Sequence, residues 1–327
     1  MDYYFNNGAN DFYLVKEQKK KEIKKIGLLT GGAFISYILL QNLLSLLLVA
    51  FKLTDKYSND TIFQSAVDTV LVIVSMLLPF HIFSKWMCKT SKVQEPLKLY
   101  APKSKGEFIL GVVAGSGLCM MASVATSYLT IILEVFGVKL TSPELSFPTG
   151  IGGFLITTIR IVVCAAMTEE ICLRGYVMGN LRAYGDKFAI IMSALLFAVM
   201  HGNLIQAPFA FVSGLIIGYL TIKTGTMWTG IFIHAINNGV SVVISYMSEQ
   251  IPERAANILS IFIIYALIMV GTLAFFLFFV MTREKNLKNP CCQLTLGEKC
   301  KAFILNPTMI ITFAYMIYIT SFYVEIG

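Results

Sequence analysis

The chain has 327 residues, of which 56% are hydrophobic and only 14% charged, with a mean hydropathy of +0.72. That composition lies far from a soluble average and leaves no room for a large soluble domain. The formal net charge of +7 gives no reason to expect nucleic acid, because the basic residues behind it fall where membrane topology and anionic headgroups account for them.

Apolar windows long enough to cross ~30 Å of hydrocarbon at about 1.5 Å per residue recur along almost the whole chain. They predict an all-α, polytopic transmembrane bundle of eight to nine spans, at 26–51, 62–82, 108–136, 151–176, 187–203, 207–221, 227–247, 257–281 and 303–323. The fifth and sixth windows are short, which leaves the count open by one. The first is too long for a signal-peptide core and lacks a small-residue cleavage site, so it reads as a mature span. The chain then divides into a basic tail (1–25), amino-terminal membrane helices (26–150), a polar-containing core (151–247) and carboxyl-terminal helices with a cysteine-containing loop (248–327).

Basic residues in short loops are retained on the cytoplasmic side. Lys16, Lys19, Lys20, Lys21, Lys24 and Lys25 crowd the amino-terminal tail. With that tail inside, the groups Lys85 to Lys105, Arg182 with Lys187, Lys223, and Arg283 to Lys288 also fall inside. The loops around Asn59, Pro143 and Pro252 are poor in Lys and Arg. Nine spans with the amino terminus cytoplasmic and the carboxyl terminus outside satisfy every loop. Of seven cysteines, Cys119, Cys164 and Cys172 fall in spans and Cys88 just past one, while Cys291, Cys292 and Cys300 share a loop on the cytoplasmic side. Reducing conditions there disfavour disulfides, and three thiols without a nearby histidine make a poor metal site.

Ionisable residues inside a span cost about 2.5–3.5 kcal/mol each on insertion scales, so each one needs a reason. They concentrate in the core: Glu169, Glu170 and Arg174 in the fourth span, His201 at the end of the fifth, and His234 with Asn238 in the seventh. Glu169 and His201 lie sixteen residues either side of Gly185, in a polar turn, so an antiparallel hairpin sets them at similar depth. His234 lies eleven residues beyond Lys223, which puts it about 16 Å in by helix rise. The four-residue interval places Glu170 with Arg174, Phe197 with His201, and His234 with Asn238 on common helix faces. An ion pair with Arg174 would occupy Glu170. Glu169, about 100° round the helix, would be the carboxylate left to act as general base.

At these residues the chain resembles the CAAX prenyl protease and bacteriocin-processing (CPBP) family of glutamate-type intramembrane endoproteases. The resemblance rests on Glu-Glu-x-x-x-Arg at Glu169, Glu170 and Arg174, Phe-x-x-x-His at Phe197 and His201, and His-x-x-x-Asn at His234 and Asn238, with Thr224, Gly225 and Thr226 before the last. The three motifs stand in the family's order and cover about a quarter of the chain. The resemblance implies an endopeptidase in which Glu169 and His201 activate a water against a peptide carbonyl. His234 and Asn238 would hold the developing oxyanion, and Glu170, Arg174 and Phe197 would support the layer. It also implies metal independence, peptide or protein substrates within the bilayer and, from the family's bacterial breadth, a bacterial plasma membrane.

Other readings compete. Two histidines and a glutamate could ligate a catalytic zinc, although the two-histidine helical signature of zinc proteases is missing. The same polar cavity could belong to an idle peptide-binding or bacteriocin self-immunity protein. A transporter would show inverted repeats with broken helices, and no such symmetry is visible. The substrate is expected to enter from the cytoplasmic side. Outside the core, Asp68 and Arg160 fall at comparable depths and are expected to pair as a brace. His81 reads as an interfacial, snorkelling residue.

Overall fold

The computed structural model describes residues 2–93, 99–141 and 150–326; Lys98 and Pro143, used above for orientation, lie outside them. Helix α1 spans Asp2–Ala50, α2 Thr54–Asn59, α3 Thr61–Ser91 and α4 Lys105–Val135. After strand β1 (Val138–Leu140), helix α5 runs over Gly150–Tyr184. Then come α6 (Asp186–Val199), α7 (Ala207–Thr224), α8 (Met227–Gln250), α9 (Glu253–Thr282), α10 (Leu296–Ile304), α11 (Pro307–Ser321) and strand β2 (Val324–Ile326). The two strands pair antiparallel, Val138 opposite Ile326 and Leu140 opposite Val324. The architecture is an all-α polytopic bundle.

Among the described residues seven helices are long and apolar enough to cross a membrane: α1, α3, α4, α5, α7, α8 and α9. The bent pair α10 and α11 makes an eighth if it counts as one span. Large apolar side chains point away from the bundle, with Phe262 70%, Met269 73% and Phe276 65% exposed along α9 alone. A surface of that kind needs lipid rather than water. The chain is an integral, multi-pass membrane protein.

The nine-window expectation is corrected in two places. Helix α6 has 14 residues, about 21 Å at helix rise, too short to cross the hydrocarbon. The ninth window is broken: α10 and α11 meet at 80°. At the break the Asn306 side chain accepts from the Met309 amide at 3.1 Å, and Pro307 follows at the first helical position, so a new helix is capped and begun there.

Helix α1 runs without a break from Asp2 through the basic segment into the apolar one. Lys16 meets Glu298 at 2.7 Å and Lys19 meets Glu22 at 2.9 Å. Cys300 lies on α10 rather than in the loop, and all seven cysteines are free. Burial raises the pKa of the Cys291 thiol, in the connection between α9 and α10.

Small residues allow a close helix crossing. A Cβ on Gly117 of α4 would lie 2.6 Å from the Gly271 Cα of α9, so the two backbones touch only because neither residue has a side chain. The largest buried cluster gathers at the end of the bundle that carries the basic loops. There Ile23, Phe80, Leu173, Tyr184, Phe188 and Phe303 pack together.

The expected brace is present. Arg160 Nη1 donates to Asp68 Oδ2 at 3.1 Å, and the Tyr57 hydroxyl donates to Asp68 Oδ1 at 2.7 Å. The arginine and aspartate side chains keep 15% and 29% exposure, so the pair is worth on the order of 1 kcal/mol rather than the several of a sealed pair. Arg160→Asp and Asp68→Arg should each lower the melting temperature of the purified protein, and the double exchange should recover most of the loss. An exchange no better than the singles would remove the brace. His81 is exposed on α3 and hydrogen-bonds the Tyr176 hydroxyl at 3.1 Å.

Candidate active site

Helix α5 is irregular where its acidic pair sits. Two π-helical stretches, Thr158–Ala165 and Ile171–Met178, flank a single α-helical piece, Ala166–Glu170. Such insertions are rare and re-aim side chains, which is why they gather at functional sites. Within the α-helical piece Glu169 and Glu170 stand about 100° apart and meet different surroundings. Glu169 keeps 17% side-chain exposure and lines a cavity of about 820 Å³, whereas Glu170 is sealed at 1%.

Behind the cavity wall, Glu170 Oε1 accepts from Arg174 Nη1 at 2.9 Å and from His234 Nδ1 at 3.0 Å. The Arg174 guanidinium lies 4.5 Å from the centre of the Phe197 ring, a cation–π contact in a dry setting. Phe197 in turn stands edge-on to both imidazoles, 5.0 Å from His201 and 5.4 Å from His234. Phe197 is therefore the wall that separates and orients the two rings.

The hydrogen bonds fix the tautomers. The Phe197 carbonyl can only accept, so Nδ1 of His201, 2.7 Å away, carries the hydrogen, and Nε2 of the neutral ring holds the free lone pair. By the same argument His234 donates Nδ1–H to Glu170, and its Nε2 faces Glu169 Oε2 at 3.8 Å. No hydrogen bond joins Glu169 to His201 among the described residues, although both line the same cavity.

Asn238 lines that cavity too and donates one amide hydrogen to the Ile161 carbonyl at 2.9 Å. This fastens α8 to the first π-helical stretch and leaves the second amide hydrogen for another acceptor. All the predicted site residues thus converge: Glu169, His201, His234 and Asn238 on the cavity, with Glu170, Arg174 and Phe197 packed behind them.

Several supporting residues escape sequence reasoning. Asn203, 1% exposed, donates to the His201 carbonyl at 2.9 Å and accepts from the Gln206 amide at 2.9 Å, which holds the turn after α6. Its only sequence signal is an Asn beside a Gly. Asn237 lines the cavity with an unpartnered side-chain oxygen. Gly230 lets the acidic layer approach α8, since a Cβ there would lie 2.9 Å from Glu170 Oε2 and 2.8 Å from Thr221 Oγ1. Among the described residues no set of three or more His, Cys, Asp or Glu side chains is placed to hold a metal ion.

Residues 151–240 match the family model of the type II CAAX prenyl endopeptidases, Rce1-like. Over that segment the chain is similar to the CAAX proteases. The match covers all three motifs, from the start of α5 to the middle of α8. No curated protein and no solved structure matches the chain.

Proposed function

We propose that the protein is an intramembrane endopeptidase that hydrolyses a peptide bond with a water activated by Glu169 and His201. The observation that carries this reading is the partition of the acidic pair: one carboxylate faces the cavity and the other is committed behind it. Peptide hydrolysis needs a base for the attacking water, a donor for the carbonyl oxygen and a proton for the leaving amine. Glu169 and His201 both line the cavity, and neither Glu169 Oε2 nor His201 Nε2 has a hydrogen-bond partner among the described residues; a water held by the two would lose its proton to one of them, which then passes it to the leaving amine. His234 Nε2 is a donor when the ring carries both hydrogens, its Nδ1–H being held by Glu170 at 3.0 Å. With the spare Asn238 amide hydrogen it forms the oxyanion site. Preorganised donors of this kind, kept away from bulk water, stabilise the transition state by several kcal/mol.

The mechanism as proposed uses no metal. Purified protein in lipid nanodiscs should retain cleavage after exhaustive chelation, with no stoichiometric metal detected, whereas His201→Ala should lose about 10²–10⁴-fold in rate. Activity abolished by chelation and restored by zinc would replace this mechanism with a metal-assisted one.

A further inference from the structure

The cavity reaches in one direction only. On every helix that contributes to it, the lining residues sit on the side of the catalytic layer away from the basic loops. On α5 they run from Glu169 back to Arg160, and on α8 from His234 forward to Ser245. On α3 and α4 they lie in the halves remote from Lys89 and Lys105. At the far end the lining is hydroxylic, with Ser45, Ser127, Thr130 and Ser245 facing the space. Polar side chains at membrane depth face water-filled cavities rather than acyl chains.

The opposite direction is closed. The largest apolar cluster fills the basic end, and polar ties lock its surface. Lys299 Nζ donates to the Tyr184 carbonyl at 2.7 Å, the Tyr184 hydroxyl donates to Glu22 at 3.1 Å, and the Lys288 amide donates to Asp186 at 2.8 Å. The short α6 fits this arrangement. It rises from the basic end only as far as the catalytic layer, and the turn holding His201 forms part of the cavity floor.

We infer that the substrate segment reaches Glu169 from the end of the bundle opposite the basic residues. By the distribution of Lys and Arg that end is the outer surface. The substrate class is then an extracytoplasmic stretch of a peptide or membrane protein, the reverse of the cytoplasmic entry expected from the sequence. The inference rests on the proteolytic reading for the word substrate, but the route itself can be tested without activity.

Single cysteines are placed at Ser127→Cys in the mouth, Ser241→Cys near the floor, and Thr90→Cys at the basic end. The full-length protein retains the fully buried Cys119 and Cys172 and has its other five cysteines replaced. A membrane-impermeant maleimide applied to intact cells should label the first two at least tenfold more than Thr90→Cys, and inverted vesicles should reverse the order. Should that background fail to fold, the same substitutions in the otherwise unaltered chain, read site by site by mass spectrometry, give the same comparison. Labelling of Ser127→Cys and Ser241→Cys from inverted vesicles alone overturns the inference, as does no labelling of Ser241→Cys from either side. Outward labelling without any peptide cleavage would leave the route standing and remove the proposed function instead.

Discussion

Glu169→Gln should leave the protein folded and slow peptide-bond cleavage by about 10²–10⁴-fold, the loss that follows removal of a general base. The substitution keeps the side chain's shape and changes only its ability to take a proton. Among the described residues no hydrogen bond reaches the Glu169 side chain, and His234 Nε2 lies 3.8 Å from its Oε2. No buried network therefore depends on its charge, so stability should scarcely move. Comparing the membrane proteomes of cells that make the wild-type and Glu169→Gln proteins identifies the substrate, as the species that is shortened only by the former. Turnover of that substrate by the purified variants then gives the rate. Equal turnover would remove Glu169 from the mechanism, and with it the distinction drawn between the two carboxylates.

The same variant separates the enzyme from an idle binding protein that uses the same cavity. Binding alone should tolerate an uncharged Glu169, because the amide preserves the cavity's shape and polarity. A cellular effect that persists in Glu169→Gln would point to capture of a peptide without hydrolysis.

The convergence of Glu169, His201 and His234 was readable in the chain because it depends on counting: sixteen residues from each side of a turn at Gly185, and helices that rise by a fixed amount per residue. The Asp68–Arg160 contact was readable for a related reason, since two opposite charges at one depth in hydrocarbon have few other partners. Interruptions of the helix were harder to see. The π-helical stretches of α5 are written in residues such as Ile161, Val162 and Val163, which serve equally well in a regular helix.

Direction was harder still. Lipid and protein core are both apolar, so a membrane helix does not advertise its buried face as a soluble amphipathic helix does. The serines and threonines that line the cavity looked like the small hydroxylic residues found throughout membrane interfaces. Only the assembled bundle shows that they share one wall. The bend between α10 and α11 did carry a signal, Asn306 followed by Pro307. A hydropathy window averages over it, because two polar or helix-breaking residues hardly change the mean of twenty.

Arg174→Ala should be the most damaging single change to the fold, with an expected loss of about 3–5 kcal/mol, the cost of leaving one partner of a buried pair uncompensated. Arg174 is fully buried, and its carboxylate partner Glu170 is sealed beside it at 2.9 Å. Without the guanidinium, Glu170 retains only His234 as a partner, and the Phe197 ring loses the cation against its face. Thermal unfolding in nanodiscs should register a melting temperature well below that of the wild type. The double variant Glu170→Leu with Arg174→Leu distinguishes loss of a charge partner from loss of packing. Replacing both members of a buried pair by apolar groups of similar size is often neutral or stabilising, so the double variant should melt close to wild type. It should nonetheless be inactive, because His234 has lost the carboxylate that accepts its Nδ1–H and orients the ring. A stable Arg174→Ala variant would show that water reaches Glu170 and that the acidic pair is not partitioned between a wet face and a dry one. A stable and active double variant would show that His234 needs no acidic partner, and the oxyanion role assigned to it would pass to Asn238 alone.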